Sequence, residues 1–400
     1  MRKYPGMYKT YFELKNKEEA RKLAEDLRNS YSSVRLENKI GEHTGFIVYC
    51  DELLQELRQI NILNQKIWVL ANRLPSVALD QFLFNAVIEE IHQTNEMENI
   101  HSTHKEIKDE MLVIQSGNRG KRFDGMIRKY QLLLKNERIP LVTCQDVRDL
   151  YNSFVLDEVT KENPADVPDG IYFRKGPVYV DKKSMTIHEG VFPEKALNEA
   201  MENALNFLNN DEYDPLIRVS AFHYLFGYIH PFYNGNGRMS RFISSEYLSS
   251  AKVHYLVSLR LSYVIKSHRS QYYSLFKITN DTRNYGDLTC FVIGFLSFIR
   301  EAGEQVQRFL EEKNEQILHY REIIHKTHYD DNEKELLFLL SQVSICEGDS
   351  LSLKELANLS NISSYLLRKR IDTIEPLLIM SRSGTSKRYR VDLEKLESLQ

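Results

Sequence analysis

The chain has 400 residues, 42% of them hydrophobic and 27% charged, with a formal net charge of −3. That length and apolar content suit two or three globular domains, and the near-neutral charge excludes a protein that grips polyanions with its whole surface, leaving only local patches. The longest apolar run, residues 290–299, falls well short of the ~20 residues a membrane helix needs, so it reads as a buried helix and no membrane partner is expected.

Cys50, Cys144, Cys290 and Cys346 are widely spaced and form no CxxC pair, which fits reduced thiols in a cytoplasmic protein. The first twenty residues carry basic side chains with no apolar segment behind them, so no secretory signal is expected. Residues 8–14 (YKTYFEL) predict a strand, residues 15–30 a charged helix and residues 44–50 (TGFIVYC) a further strand, giving a small α/β appendage over residues 1–75. From Ser76 long amphipathic helices take over, with Leu79, Phe82, Leu83, Val87 and Ile91 at helical spacing, and this region extends to about residue 325. Inside it, residues 170–190 alternate in the β manner around Gly176 and Pro177, with a polar turn at 181–184, which predicts a hairpin among helices.

Residues 326–335 read as a linker to a unit over 330–400. There, two short amphipathic helices joined near Ser360 and Asn361, then two strands around Gly384, predict a winged helix-turn-helix. Between Ser363 and Arg390 stand seven basic residues, Arg368, Lys369, Arg370, Arg382, Lys387, Arg388 and Arg390, against the acids Asp372 and Glu375. Arg368, Lys369, Arg370, Lys387 and Arg388 are the candidates for DNA phosphates. A protein-interaction or dimerisation module of the same fold is the competing reading, so DNA and a second copy of the chain both stand as partners.

The stretch HPFYNGNGRMSR at 230–241 follows an apolar helical stripe of Leu216, Val219, Phe222, Phe226 and Ile229. His230 therefore falls at a firmly held helix end, Pro231, Gly235 and Gly237 permit a tight loop, and a second helix resumes near Asn236. The start of that helix offers unpaired backbone N–H groups and the positive end of its dipole, and Arg238 and Arg241, three apart, project to one side. Positive side chains oppose a helix N-terminus unless an anion such as a polyphosphate lies there. An imidazole beside a held phosphate is suited to deprotonate a hydroxyl. His92, His101 and His104 read as packing or surface histidines, and residues 116–122 (SGNRGKR) lack the spacing of a phosphate loop.

These twelve residues resemble the Fic signature HPFx(D/E)GNGRxxR, and the resemblance extends over roughly residues 76–310, through HYLFGYIHPF, HRSQYYSLF and GDLTCFVIGFL. It implies a mainly α Fic-type core in which the 170–190 hairpin is a flap that aligns a target segment, and it implies transfer of AMP from ATP to a Ser, Thr or Tyr hydroxyl of a target protein. By resemblance, His230 is the base, Asn236 and the adjacent amides form the anion hole, Arg238 and Arg241 hold the β- and γ-phosphates, and Phe232 anchors the loop. Asn234 and Gly235 complete the nucleotide loop, but Asn234 stands where the family has the acid that holds Mg²⁺, so weaker metal binding is expected. Gly237, where Doc-like kinases have Lys, leaves space open and favours adenylylation. UMP or phosphocholine transfer stays open.

TNEMENI at 94–100 resembles the family's inhibitory segment (S/T)xxxE(G/N), here Thr94, Glu98 and Asn99. By resemblance, Glu98 pairs with Arg241 in place of the γ-phosphate. The sequence thus points to a self-restrained protein adenylyltransferase; the alternative is a nucleotide-sensing DNA-binding regulator whose core no longer catalyses.

Overall fold

The computed structural model describes residues 3–14, 16–135, 137–182, 185–346, 350–360, 362–383 and 386–399. The chain divides into two compact units that interleave in sequence, Met1–Asn64 with Val87–Glu304 and Gln65–Ala86 with Gln305–Gln400, and not at the expected boundaries near 75 and 325–330.

In the first unit, α1 (Gly6–Glu13) and α2 (Lys17–Arg28) precede an antiparallel hairpin of β1 (Ser33–Ile40) and β2 (His43–Val48). The strand expected at 8–14 is therefore a helix. Its aromatic and β-branched residues favour strands locally, but distant side chains hold the first turn: Met7 N donates to Asp287 Oδ2 at 3.0 Å and Tyr8 N to Asn284 Oδ1 at 3.1 Å. Two of the donors that a helix start leaves open are thereby satisfied. Nor is this segment an appendage, because Phe46 N donates to Gly286 O at 3.0 Å, Val48 N to Thr289 Oγ1 at 2.9 Å and Asn38 Nδ2 to Ala200 O at 2.7 Å.

Helices then follow in order: α3 (Asp51–Ala71), α4 (Ser76–Met97), α5 (His104–Gln115), α6 (Asp124–Leu134), α7 (Cys144–Phe154) and α8 (Leu156–Glu162). The hairpin β3 (Tyr179–Lys182) and β4 (Met185–Glu189) pairs Tyr179 with Glu189 and Lys182 with Met185. It is shorter than expected, and residues 183–184 of the expected turn lie outside the described residues. Next come α9 (Glu194–Leu208), α10 (Pro215–Ile229), α11 (Asn236–Ser250), α12 (Tyr255–Ser258), α13 (Leu261–Ser267), α14 (Arg269–Asn280) and α15 (Thr289–Lys326).

The pair α10 and α11 carries the signature loop, and α9 packs on α10. The expected apolar stripe of α10 is buried, and so are its other faces, including Ser220 and His223, as befits a central helix. His223 Nδ1 meets Ser244 Oγ at 2.8 Å and Ser240 Oγ at 3.0 Å, while Nε2 meets Tyr272 Oη at 2.8 Å. Burial drives this imidazole down to about 3, so it is a neutral clamp between α10, α11 and α14. Residues 290–299 open α15, with Phe291, Val292, Phe295, Leu296, Phe298 and Ile299 all buried.

In the second unit, α16 (Asp331–Ile345), α17 (Leu353–Ser360) and α18 (Ser364–Ile374) share a core of Leu337, Leu340, Leu356, Leu367, Ile371 and Ile374. A sheet of order β5-β7-β6 follows the pairing of β5 (Leu351–Ser352) and β6 (Leu378–Ser383) with β7 (Ser386–Val391), and α19 (Leu393–Glu397) closes the chain. Two short helices and two strands thus stand where the sequence places them, while the expected joints at Asn361 and Gly384 lie outside the described residues.

Candidate active site

Helix α10 ends on His230, which adopts a left-handed conformation (φ 52°, ψ 64°) and caps the helix through its N–H to Phe226 O at 2.9 Å. A non-glycine residue in this region costs local energy and is held by its surroundings. The restraint comes from Arg174, which the sequence reading missed. Its fully buried guanidinium donates to His230 O at 2.9 Å (Nε), Gly176 O at 2.6 Å and Val191 O at 2.9 Å. Val191 N also donates to Ile229 O, and Gly176 N to Tyr233 Oη. The feet of the hairpin are thus laced to the loop that carries His230.

Phe232 is fully buried, stacked on Tyr151 with centroids 3.8 Å apart, and edge-on to Phe173, which agrees with its expected anchoring place. Asn236 Oδ1 accepts from Phe232 N at 2.9 Å and its Nδ2 donates to Phe232 O at 2.7 Å. The expected anion-hole residue therefore turns its side chain back to brace the loop, and the backbone amides are what α11 offers an anion. Gly235, at φ 82°, takes the left-handed turn that starts α11, with Tyr151 and Val155 close above it.

Arg241 is 1% exposed and bonded through two of its nitrogens: Nε donates to Thr94 Oγ1 at 2.8 Å, Nη2 to Thr94 O at 3.0 Å and to Glu98 Oε1 at 2.6 Å. Burial pushes the Glu98 carboxyl upward, but the charges of Arg241, Arg238 and His230 reverse this and leave it below the ordinary glutamate range. The space above Gly237, expected to be open, is filled: a Cβ built there would collide with Glu98 Oε1. Asn99, at φ 58°, is the left-handed residue that follows the end of α4, a position that tolerates Gly or Asn and few others. Its part in the segment is conformational.

Arg238 is also fully buried, but its partner is Glu158 of α8, with Nη1 to Oε2 at 2.5 Å. Among the described residues, Arg238 Nε and Nη2 and Glu158 Oε1 have no hydrogen-bond partner. Burial drives the Glu158 carboxyl up to about 7 against the opposing pull of Arg238. Neither arginine presents a bare fork as the sequence suggests, since each already holds an internal carboxylate. Glu158 carried no sequence signal beyond lying on a short helix.

Asn234 Nδ2 donates to Asp166 Oδ2 at 3.2 Å, and Asn234 Oδ1 accepts from Gly235 N at 2.6 Å. An amide and a carboxylate in contact are hard oxygen donors of the kind Mg²⁺ takes. Among the described residues no group of three or more His, Cys, Asp or Glu could hold a metal by itself. The rings of His92 and His104 lie 4.2 Å apart, with His104 on Glu89 at 2.6 Å, as a packing pair.

In the second unit, Arg368, Lys369 and Lys387 are exposed. Arg388 departs from the expected basic set: it is half-buried, with Nε on Ser350 O at 2.7 Å and Nη2 on Glu355 at 3.2 Å, so it staples the sheet edge. Arg370 likewise has a buried Nη1 without a partner and is half-buried overall.

Two central helices thus meet at a glycine-bearing loop, with one histidine before it and two arginines after it in α11. Residues 142–248 match the Fic/DOC family. It is similar to the protein adenylyltransferase Fic of Drosophila mojavensis, 30% identical over 151 residues, or 38% of this chain and 26% of the relative, and equally to that of Drosophila melanogaster, 30% identical over 38% and 27%. The match thus spans about a quarter of the length of these curated relatives. The fold is shared with the crystal structure of a Fic family protein from Desulfovibrio desulfuricans G20, at a TM-score of 0.51 and 20% identity over 86% of this chain and 96% of the other.

Proposed function

We propose that this chain transfers AMP from ATP to a Ser, Thr or Tyr hydroxyl of a target protein, and that Glu98 restrains it. The observation that carries the reading is the Glu98 carboxylate lodged over Gly237 at the start of α11 and bound to Arg241: an anion site filled by the chain's own anion. The names of the relatives, protein adenylyltransferase Fic, agree with it.

In this reading Glu98 swings away and the triphosphate takes its place against Arg241, Arg238 and the first amides of α11. His230 accepts the proton of the target hydroxyl as its oxygen attacks the α-phosphorus, the bond from that phosphorus to the bridging oxygen breaks, and pyrophosphate leaves. Mg²⁺ held near Asn234 would neutralise phosphate charge. The hairpin β3–β4, laced to the loop, would present the target strand by main-chain pairing. With its four free thiols the protein would act in the cytoplasm. The exposed Arg368, Lys369 and Lys387 support a second reading for the C-terminal unit alone, a winged helix that binds DNA phosphates.

Full-length wild type and Glu98→Gly protein incubated with ATP labelled at the α- or γ-phosphate provide the test. We expect α-label on protein, raised about tenfold or more in Glu98→Gly, as for removal of an internal competitor worth at least ~1.4 kcal/mol, and abolished by adding His230→Ala. Transfer of γ-label would make the protein a kinase. No transfer in either form would leave a regulator without catalysis.

A further inference from the structure

We propose that Asp166 supplies the carboxylate for the divalent cation that accompanies the nucleotide, with Asn234 as its neutral partner. This rests on the nucleotide-transfer reading above. Divalent magnesium commonly takes one or two carboxylates together with substrate phosphates, and the loop residue itself, Asn234, brings none. The missing charge is across the gap. Asp166, in the turn Pro164–Asp166 that follows α8, places Oδ2 3.2 Å from Asn234 Nδ2.

Both sides of the pair are braced. Asn163 Nδ2 donates to Asp166 Oδ1 at 3.0 Å, and Asn163 Oδ1 accepts from Ala165 N at 3.2 Å, which fixes the turn that carries the carboxylate. On the other side, Asn234 O accepts from Tyr151 Oη at 3.2 Å, and the Tyr151 ring stacks on the buried Phe232. Among the described residues, the oxygens of Asp166 thus meet side-chain amides and no basic group in an ion pair.

The spacing also fits. Two oxygens on adjacent corners of a magnesium octahedron with ~2.0–2.1 Å bonds lie about 3 Å apart, close to the 3.2 Å between the Asn234 amide and Asp166. Without a cation, the amide N–H satisfies the carboxylate. Rotating that amide by about 180° exchanges nitrogen for oxygen and gives up the bond that Asn234 Oδ1 accepts from Gly235 N, and the two oxygens then facing each other at that distance are held by a cation between them, which has to offset the lost bond.

The test uses the full chain carrying Glu98→Gly, so that the internal anion does not compete, with Mn²⁺ as a spectroscopic probe titrated by electron paramagnetic resonance in the presence of ATP. Asp166→Asn keeps the shape of the side chain and removes its charge. Mn²⁺ binding should weaken about tenfold or more, metal-free ATP binding in excess chelator should stay unchanged, and Asn234→Asp added to Asp166→Asn should restore Mn²⁺ binding. Equal Mn²⁺ affinity with and without Asp166→Asn overturns the assignment while the nucleotide reading stands. Loss of Mn²⁺ binding that Asn234→Asp fails to recover also overturns it, and marks Asp166 as a loop brace. A Glu98→Gly chain that binds ATP neither with nor without Mn²⁺ removes the nucleotide reading, and this assignment with it.

Discussion

Arg238 and Arg241 stand one turn apart on α11, and each faces a glutamate, yet the two pairs are built on opposite terms. Arg241 is bonded to Thr94 and Glu98 through Nε and Nη2, and its carboxylate partner, half-buried in the turn after α4, is held below its ordinary range. Arg238 meets one oxygen of Glu158, leaves two of its own nitrogens and the other oxygen unpaired, and drives no comparable lowering, since burial lifts Glu158 to about 7. The first is a latch with a hydrogen bond at each nitrogen that faces its partners. The second is an under-satisfied pair whose idle N–H groups an anion would satisfy, because a buried charge with idle donors is costly until an acceptor joins it.

The sharpest way to break this comparison is to delete each carboxylate. Glu158→Ala leaves Arg238 buried with no partner and should cost about 3–5 kcal/mol, read as a fall in the unfolding midpoint in denaturant. Glu98→Ala leaves Arg241 its two Thr94 acceptors beside an opening to solvent, so the loss should be about 1–2 kcal/mol. Equal losses would show that the two arginines are held alike. Saturating ATP should recover part of the stability in both variants, since a ligand bound only by the folded state shifts unfolding by mass action.

Sequence alone made the latch legible and the pocket invisible. The signature loop and the pattern Thr94, Glu98, Asn99 are local, so helix periodicity and the fixed spacing of glycines carry them, and even the left-handed Asn99 follows from a short-range rule. Glu158, Asp166 and Arg174 act on residues 56 to 80 positions away, and nothing in their own neighbourhoods distinguishes them from solvated side chains. The same reason explains α1: its residues read as a strand by local preference, while Asn284 and Asp287, nearly 280 positions on, hold it as a helix. The grouping of residues 1–64 with the central helices is likewise made of long-range bonds. By contrast, the helix over 290–299 and the helices and strands of the C-terminal unit follow from local periodicity.

Thr94 sharpens the comparison from the side of the latch. Its hydroxyl accepts from Arg241 Nε at 2.8 Å, while its backbone oxygen, which no substitution removes, accepts from Nη2. Thr94→Ala should therefore loosen the latch without opening it. At about 1 kcal/mol for one such bond, α-label transfer should rise roughly fivefold over wild type, less than in Glu98→Gly. Thr94→Ser, which keeps the hydroxyl, should stay near wild type. A Thr94→Ala protein as active as Glu98→Gly would mean that Glu98 is held chiefly through Thr94 and not by charge.

The smallest expected effect separates the pairs by pH. Glu98 has a folded value below its ordinary one, so its stabilisation is complete above about pH 4.5 and is lost only as pH falls through that lower value. Glu158 runs the other way. Its folded value of about 7 exceeds the ordinary 4.5, so the folded state keeps a proton that the unfolded state releases; that contribution is complete below about pH 4.5 and is lost as pH rises through 7. Buried Glu90 and Glu246 are also lifted to about 7 and titrate in the same window. Buried His223 and His254, lowered to about 3 and about 4, pull the other way below about pH 6.5, so the comparison with wild type is what isolates Glu158: Glu158→Gln should make the slope between pH 5 and pH 7 less negative than in wild type. Glu98→Gln should leave the slope between pH 6 and pH 8 as it is, and a slope changed equally by both substitutions would erase the distinction between the two pairs.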